Sequence, residues 1–228
     1  MKQLVLDIRP DAPPTLENFV AGANAELVAT VSLLASPATA AQLPARHIYL
    51  WGAPGSGRSH LLEATALLAA ARRPVCHLPA AAIGAELAVA PGSLLVIDDV
   101  AELGTEAQVA LFRTFNAARI AGLAFLIAGP APVLRLDLRE DLRTRIGQCL
   151  IYEVKPLSDD EKAAALRRHA LLRGMQVDDG LLAYLLRHGR RDLPSLMGVL
   201  DALDQATLRQ KRPATLPLLK EVLQLPLE

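Results

Sequence analysis

Gly52-Ala53-Pro54-Gly55-Ser56-Gly57-Arg58-Ser59 is the stretch that decides how this chain reads. Its spacing is that of the phosphate loop G-x-x-x-x-G-K-[ST], with Arg58 standing where the pattern has lysine. Glycines at these positions let the backbone turn its N–H groups onto anionic oxygens, and a helix starting at the end of the loop adds the positive end of its dipole. Pro54, Gly55, Ser56, Gly57, Arg58, Ser59 and the following His60 are therefore candidate nucleotide-binding residues. Ser59 is the one placed to ligate Mg2+. The flanks suit the motif, since an aliphatic run over 47–51 precedes it and a helical pattern over 58–71 follows. Arg58 is the departure. A guanidinium is larger than an ammonium, planar and forked, so phosphate binding is expected to survive while the geometry at a γ-phosphate changes.

Working outward, apolar runs at 75–78, 94–97, 124–128 and 150–154 alternate with longer helical stretches. One of these, 106–120, carries Val109, Phe112 and Phe115 near helical spacing. Strands of continuous aliphatics separated by helices indicate an α/β fold with a parallel five-stranded sheet covered on both faces. Leu94-Leu95-Val96-Ile97-Asp98-Asp99 has the form of the second NTPase motif, aliphatics followed by acids at a strand end. Asp98 would hold the water shell of Mg2+, and Asp99 stands where a carboxylate orients or deprotonates an attacking water. The end of the next strand, Ala128-Gly129-Pro130, offers no polar side chain to a γ-phosphate. With Arg58, this predicts weak intrinsic ATP hydrolysis.

After Lys155-Pro156 the strand-like runs cease. Ser158-Asp159-Asp160-Glu161 reads as a capping box opening a helix that Gly174 stops, and Asp192 caps a further helix after Gly189. The expected organisation is a flexible tail over 1–15, an α/β nucleotide-binding domain over 16–156 with one early helix near 25–34, and a small helical lid over 157–228.

At 52% hydrophobic residues and mean hydropathy +0.27, the chain has enough apolar side chains for a full core. Lys and Arg total 24, as do Asp and Glu, so no overall basic field draws the protein to DNA, which it would meet only indirectly or through a local patch. Cys76 and Cys149 follow no metal spacing and read as free thiols inside apparent strand runs. The N-terminus reaches Asp7 too early for a secretory signal, and no apolar run is long enough to span a bilayer, so a cytoplasmic protein without membrane contact is expected.

Several segments resemble the DnaA family of AAA+ ATPases. Leu16-Glu17-Asn18-Phe19-Val20-Ala21-Gly22-Ala23-Asn24 is similar to the opening "T-F-x-N-F-V-x-G-x-x-N", whose Phe-Val pair contributes to an adenine pocket. The resemblance thereby implies nucleotide-binding roles for Phe19 and Val20. The segment 138–146, with Leu142, Thr144 and Arg145, looks like the family's arginine-finger segment, Arg143 being the alternative finger. Arg191-Asp192-Leu193 resembles the sensor-2 segment of the lid, with Arg191 as the sensor and Arg190 as its alternative. A frame that opens at the ATPase and stops after the lid, with arginine in the phosphate loop, resembles the Hda type of regulator more than DnaA itself. Gln3-Leu4-Val5-Leu6 is similar to the short clamp-binding peptide of that type, in which Leu4 and Leu6 fill an apolar cleft and the Gln3 amide bonds at its edge. The resemblance implies a protein carrying ADP or ATP with Mg2+ and working as a homo-oligomer. Its partners would be DnaA and the DNA polymerase III sliding clamp (beta subunit), and it would stimulate hydrolysis of DnaA-bound ATP through Arg145. The alternatives are an autonomous AAA+ ATPase, such as a helicase loader or transposition ATPase, and a nucleotide-bound adaptor without catalytic role.

Overall fold

The structure is a computed structural model that describes residues 13–190 and 192–224. Its backbone divides into two units at Pro156. The first unit opens with α1 (Ala25–Leu34) and the short α2 (Pro37–Ala40) and continues β1 (His47–Trp51), α3 (Arg58–Ala70), β2 (Val75–Pro79) and β3 (Leu94–Asp98). It ends with α4 (Thr105–Ala121), β4 (Ala124–Gly129), α5 (Glu140–Gly147) and β5 (Leu150–Glu153). The strands form one five-stranded sheet in the order β2-β3-β4-β1-β5, parallel throughout.

Alternation along the strands divides the core into two layers. Ile48, Leu50, Leu94, Val96, Leu126 and Ala128 face α1 and α3, where Leu27, Val31, Leu61 and Leu62 meet them. Tyr49, Leu95, Ile97, Phe125 and Ile127 face α4 and α5, against Leu111, Phe115, Leu142 and Ile146. Both faces are covered, which is why the central strands β3 and β4 are apolar on both sides up to the acid that ends β3. Because all strands run the same way, the phosphate loop after β1, the acids ending β3 and the bare end of β4 share one edge of the sheet. That edge is where ligands bind in open α/β sheets.

Some local expectations shift. The buried line of α4 is Ala107, Ala110, Leu111, Phe115 and Ala118, with Val109 and Phe112 half-buried beside it. Cys149 is buried but lies just before β5, not inside it, while Cys76 is half-buried in β2; both thiols are free.

The second unit comprises α6 (Asp159–Leu172), α7 (Asp179–His188), α8 (Leu193–Gln210) and α9 (Leu216–Gln224). Leu166, Leu181, Leu185, Leu200, Leu203, Leu218 and Leu219 pack into its core. Ser158 caps α6 in a full capping box: its hydroxyl accepts from Glu161 N–H, and the Glu161 carboxylate accepts from Ser158 N–H at 2.7 Å. Asp192 caps α8 by accepting from Ser195 N–H. Among the described residues no helix is long and apolar enough to cross a membrane.

Candidate nucleotide-binding site

The loop from Gly52 to Gly57 is fixed by steric need at its two ends. A Cβ at Gly52 would lie 2.7 Å from the Val154 carbonyl oxygen and 2.9 Å from Ser56 Oγ, so the chain can leave β1 only as glycine. Gly57 has φ +99°, and a Cβ there would lie 2.7 Å from the Phe19 ring. Gly55 also has positive φ, at 77°. The loop ends on α3, whose first residues are Arg58, Ser59 and His60. The Ser56 hydroxyl is buried, yet has no hydrogen-bond partner among the described residues. A buried donor left unpaired costs free energy unless a ligand meets it.

The family-like opening segment closes over this loop. Thr15 and Asn18 bond reciprocally, Thr15 N–H to Asn18 Oδ1 at 2.9 Å and Asn18 N–H to Thr15 Oγ1 at 3.2 Å. Phe19 packs on Gly57 and sits 5.4 Å, ring to ring, from His60. His60 Nε2 is 3.0 Å from the Thr15 carbonyl oxygen, which ties the helix to the segment. Phe19 and Val20 are half-buried. Sequence reasoning missed Asn24, which is 4% exposed and clasps Lys155 with two bonds, Nδ2 to the carbonyl at 2.9 Å and Lys155 N–H to Oδ1 at 2.8 Å.

Arg58 does not stand free in the loop. Its Nη1 lies 3.3 Å from Asp99 Oδ1, an ion pair without hydrogen-bond alignment. The Arg58 side chain is 11% exposed and that of Asp99 45%. Asp99 takes a left-handed backbone, φ 48° and ψ 59°, and its N–H donates to Asp98 Oδ1 at 2.9 Å. Aspartate tolerates this conformation better than most residues.

At the end of β4, the position of Gly129 is taken by Tyr49. A Cβ there would collide with the Tyr49 hydroxyl and lie 3.1 Å from Val100 Cγ1. The hydroxyl donates to the Ala131 carbonyl at 2.6 Å. Burial pushes the phenol above its ordinary range, Arg58 pulls it down and Asp99 pushes it up, so all three groups share one electrostatic neighbourhood.

These residues fit a nucleotide with Mg2+. The glycine turns, the orphaned Ser56 hydroxyl and the start of α3 suit phosphate oxygens. The exposed Ser59 hydroxyl and the Asp98 carboxylate, with Oδ1 engaged by the Asp99 N–H, are oxygen ligands of the kind a hydrated Mg2+ takes.

The remaining candidates belong to other segments of the chain. On α5, Arg145 reaches only Gln148 Oε1, at 3.4 Å, and neither it nor Arg143 has a carboxylate partner among the described residues. Arg139 differs, gripping Asp141 through two bonds of 3.2 and 2.9 Å; this hydrogen bonding holds the Asp141 carboxyl below its usual range. Arg190 is exposed, with Nε 3.7 Å from Asp192. Arg191, Gln3, Leu4 and Leu6 lie outside the described residues.

A phosphate loop after β1, acids ending β3 and a helical unit that follows the parallel sheet in sequence define an AAA+ P-loop NTPase fold. The chain is similar to domain III of the Thermotoga maritima replication initiation protein DnaA, at 20% identity over 95% of this chain and 98% of that one, with TM-score 0.74. It is also similar to the Thermotoga maritima RuvB Holliday junction branch migration motor, at 17% identity over 93% and 72% of the two chains and TM-score 0.71. AMPPCP-bound DnaA from Aquifex aeolicus matches at 19% identity over 89% and 69%, with TM-score 0.69. Residues 159–223 match the lid domain of Hda. The chain thus shares the AAA+ fold of these proteins, and its helical segment 159–223 is similar to the Hda lid domain.

Proposed function

We propose that this protein is a cytoplasmic regulator of the Hda kind, which holds a nucleoside diphosphate with Mg2+ and stimulates hydrolysis of ATP on a DnaA-type replication initiator. The observation that carries the reading is the match of the lid segment to Hda. The site supports it from a second side. Its phosphate grip is complete, whereas Arg58 is engaged by Asp99 and β4 ends at Gly129 without a polar side chain. A site of that kind keeps a nucleotide better than it hydrolyses one. On this reading Arg145 is the arginine finger in trans, spreading positive charge over the γ-phosphate of the partner's ATP. Arg191 acts as the lid's sensor of bound nucleotide. Gln3, Leu4 and Leu6 dock on the sliding clamp, so DNA is met through the clamp, and the protein works as a homo-oligomer.

The test is phosphate release from ATP-bound DnaA mixed with this protein and a DNA-loaded clamp, each omitted in turn. Full release needs all three, and Arg145→Ala lowers it by about 10³-fold, the lower end for an arginine finger, while nucleotide binding stays intact. Arg143→Ala serves as the neighbouring control and retains most of the stimulation. Undiminished stimulation by Arg145→Ala rejects the finger. Turnover by this protein alone, lost in Asp99→Asn, would instead identify an autonomous ATPase.

A further inference from the structure

Residues 13–24 contain only a turn and the short 3-10 helix Gly22–Asn24, so no ladder of backbone bonds holds them in place. Thr15 and Asn18 bond to each other, and Asn18 Nδ2 donates to the Pro13 carbonyl at 3.0 Å, all within the segment. Leu16 and Phe19 pack against the core layer that α1 and α3 share. Among the described residues, hydrogen bonds lead out of the segment at two places. Asn24 clasps Lys155 at one end, and His60 Nε2 meets the Thr15 carbonyl oxygen at 3.0 Å at the other. A carbonyl cannot donate, so the imidazole carries its proton on Nε2.

The tie at Thr15 matters because of what stands between the two anchors. The Phe19 ring lies against the loop at Gly57, where a Cβ would come within 2.7 Å of it, and 5.4 Å from the His60 ring. Phe19 and Val20 are half-buried, so each retains surface that a ligand can cover. His60 stands in the first turn of α3, but its Nε2 proton is committed to Thr15 and is not free for a phosphate oxygen. We infer that His60 is a positioning residue for the nucleoside half of the ligand: by holding Thr15 it keeps Phe19 and Val20 set against the loop, where they cover the nucleoside while the loop takes the phosphates. The inference rests on the nucleotide reading given above. Without the tie, the segment must be ordered again each time a nucleotide binds, and that cost falls on the part of the ligand it touches. The phosphates, held by the backbone of the loop and the start of α3, are spared it.

Titrations of the full chain with ADP and with inorganic pyrophosphate, at one Mg2+ concentration, separate the two halves of the ligand. The wild-type protein should bind ADP more tightly than pyrophosphate by about tenfold or more. His60→Ala suits a helix but removes the tie, and should weaken ADP by about tenfold while pyrophosphate stays within about threefold of wild type. His60→Gln supplies an amide donor to the Thr15 carbonyl and should return ADP binding to within about threefold of wild type. Equal losses of ADP and pyrophosphate in His60→Ala would place the effect on the phosphates or on the fold, and unchanged ADP binding would leave the ring a packing group; either overturns the inference. So does a glutamine variant as weak as the alanine one, or a wild type that binds the two ligands equally. A wild type that binds neither ligand is a distinct result, which removes the nucleotide reading and the inference with it.

Discussion

Replacing Gly129 by alanine tests why β4 ends without a side chain. The new Cβ would run into the Tyr49 hydroxyl and stand 3.2 Å from Tyr49 Cζ and 3.1 Å from Val100 Cγ1. Tyr49 and Val100 are fully buried, so neither can retreat without disturbing the layer under α4. Overpacking of this kind costs about 1–3 kcal/mol. Pushing Tyr49 aside also weakens its 2.6 Å bond to the Ala131 carbonyl, a further loss of about 1 kcal/mol. Gly129→Ala should therefore destabilise the α/β unit by about 2–3 kcal/mol. Tyr49→Phe alone should cost about 1 kcal/mol, the loss of the hydrogen bond. With the hydroxyl gone, the closest approach disappears and the two contacts beyond 3 Å remain. In that background the cost of Gly129→Ala should fall by about 1–2 kcal/mol, the coupling energy of the double-mutant cycle. Trp51, the single tryptophan, ends β1 on the same face as Tyr49, so its fluorescence during urea unfolding follows this unit and not the lid. If Gly129→Ala is neutral, or costs the same with phenylalanine at 49, Tyr49 is not what excludes a side chain from the end of β4.

Two further perturbations address groups that the proposed function does not use. Arg73 is a buried cation held by carbonyls alone, donating to Gly92 from Nε at 2.9 Å and from Nη2 at 2.6 Å, and from Nη2 to Ser93 at 2.9 Å and Gly122 at 3.3 Å. Arg73→Met should cost about 3 kcal/mol in urea unfolding by orphaning these carbonyls, and Arg73→Lys should recover only part of that. His47 packs between Phe115 and Phe125, and burial lowers its pKa to about 4. The unfolded imidazole, with pKa about 6.5, takes a proton before the folded one does, so the stability tied to its neutral form is present above pH about 6.5 and is lost as pH falls toward 4. His47→Leu should remove about 2–3 kcal/mol of that decline, and parallel slopes for variant and wild type between those pH values would refute it.

The parts of the molecule legible in the sequence were those carried by local pattern. β3 and β4 are unbroken aliphatic runs because both faces of the sheet are covered, and the phosphate loop is readable because its glycines serve local sterics. α9 lies beyond the helical pattern that the sequence analysis traced, within the segment assigned only broadly to a helical lid. Pro217 is the second residue of that helix, where no intrahelical N–H is required. The α4 stripe shifted because alanines at 107, 110 and 118 take the buried line, and alanine carries little hydrophobic contrast. Arg73 looked like a charged helix end, and nothing local could disclose carbonyl partners drawn from two distant loops. The site showed the same limit. Arg58, Asp99 and Gly129 each stood out by type and position, but their pairing and the part played by Tyr49 exist only once the strands are assembled.

On the proposed function, that assembly lets one loop grip phosphate without hydrolysing it. The grip depends on backbone, through the turns at Gly52, Gly55 and Gly57 and the start of α3, and none of these changes when lysine becomes arginine. Hydrolysis depends on side chains around the γ-phosphate, and here Arg58 lies against Asp99, the Tyr49 proton goes to Ala131, and Gly129 is left bare by the ring beside it. These features are mutually consistent, because a tyrosine at 49 requires glycine at 129, and the carboxylate at 99 has the guanidinium at 58 beside it. On the proposed function, the protein contributes to ATP hydrolysis through a cation it presents elsewhere. On α5, Arg143 and Arg145 are the arginines that the described carboxylates leave unpaired, whereas Arg139 is held by Asp141. This is why the Arg145 and Arg143 substitutions, and not changes in the loop, are the decisive measurements of function.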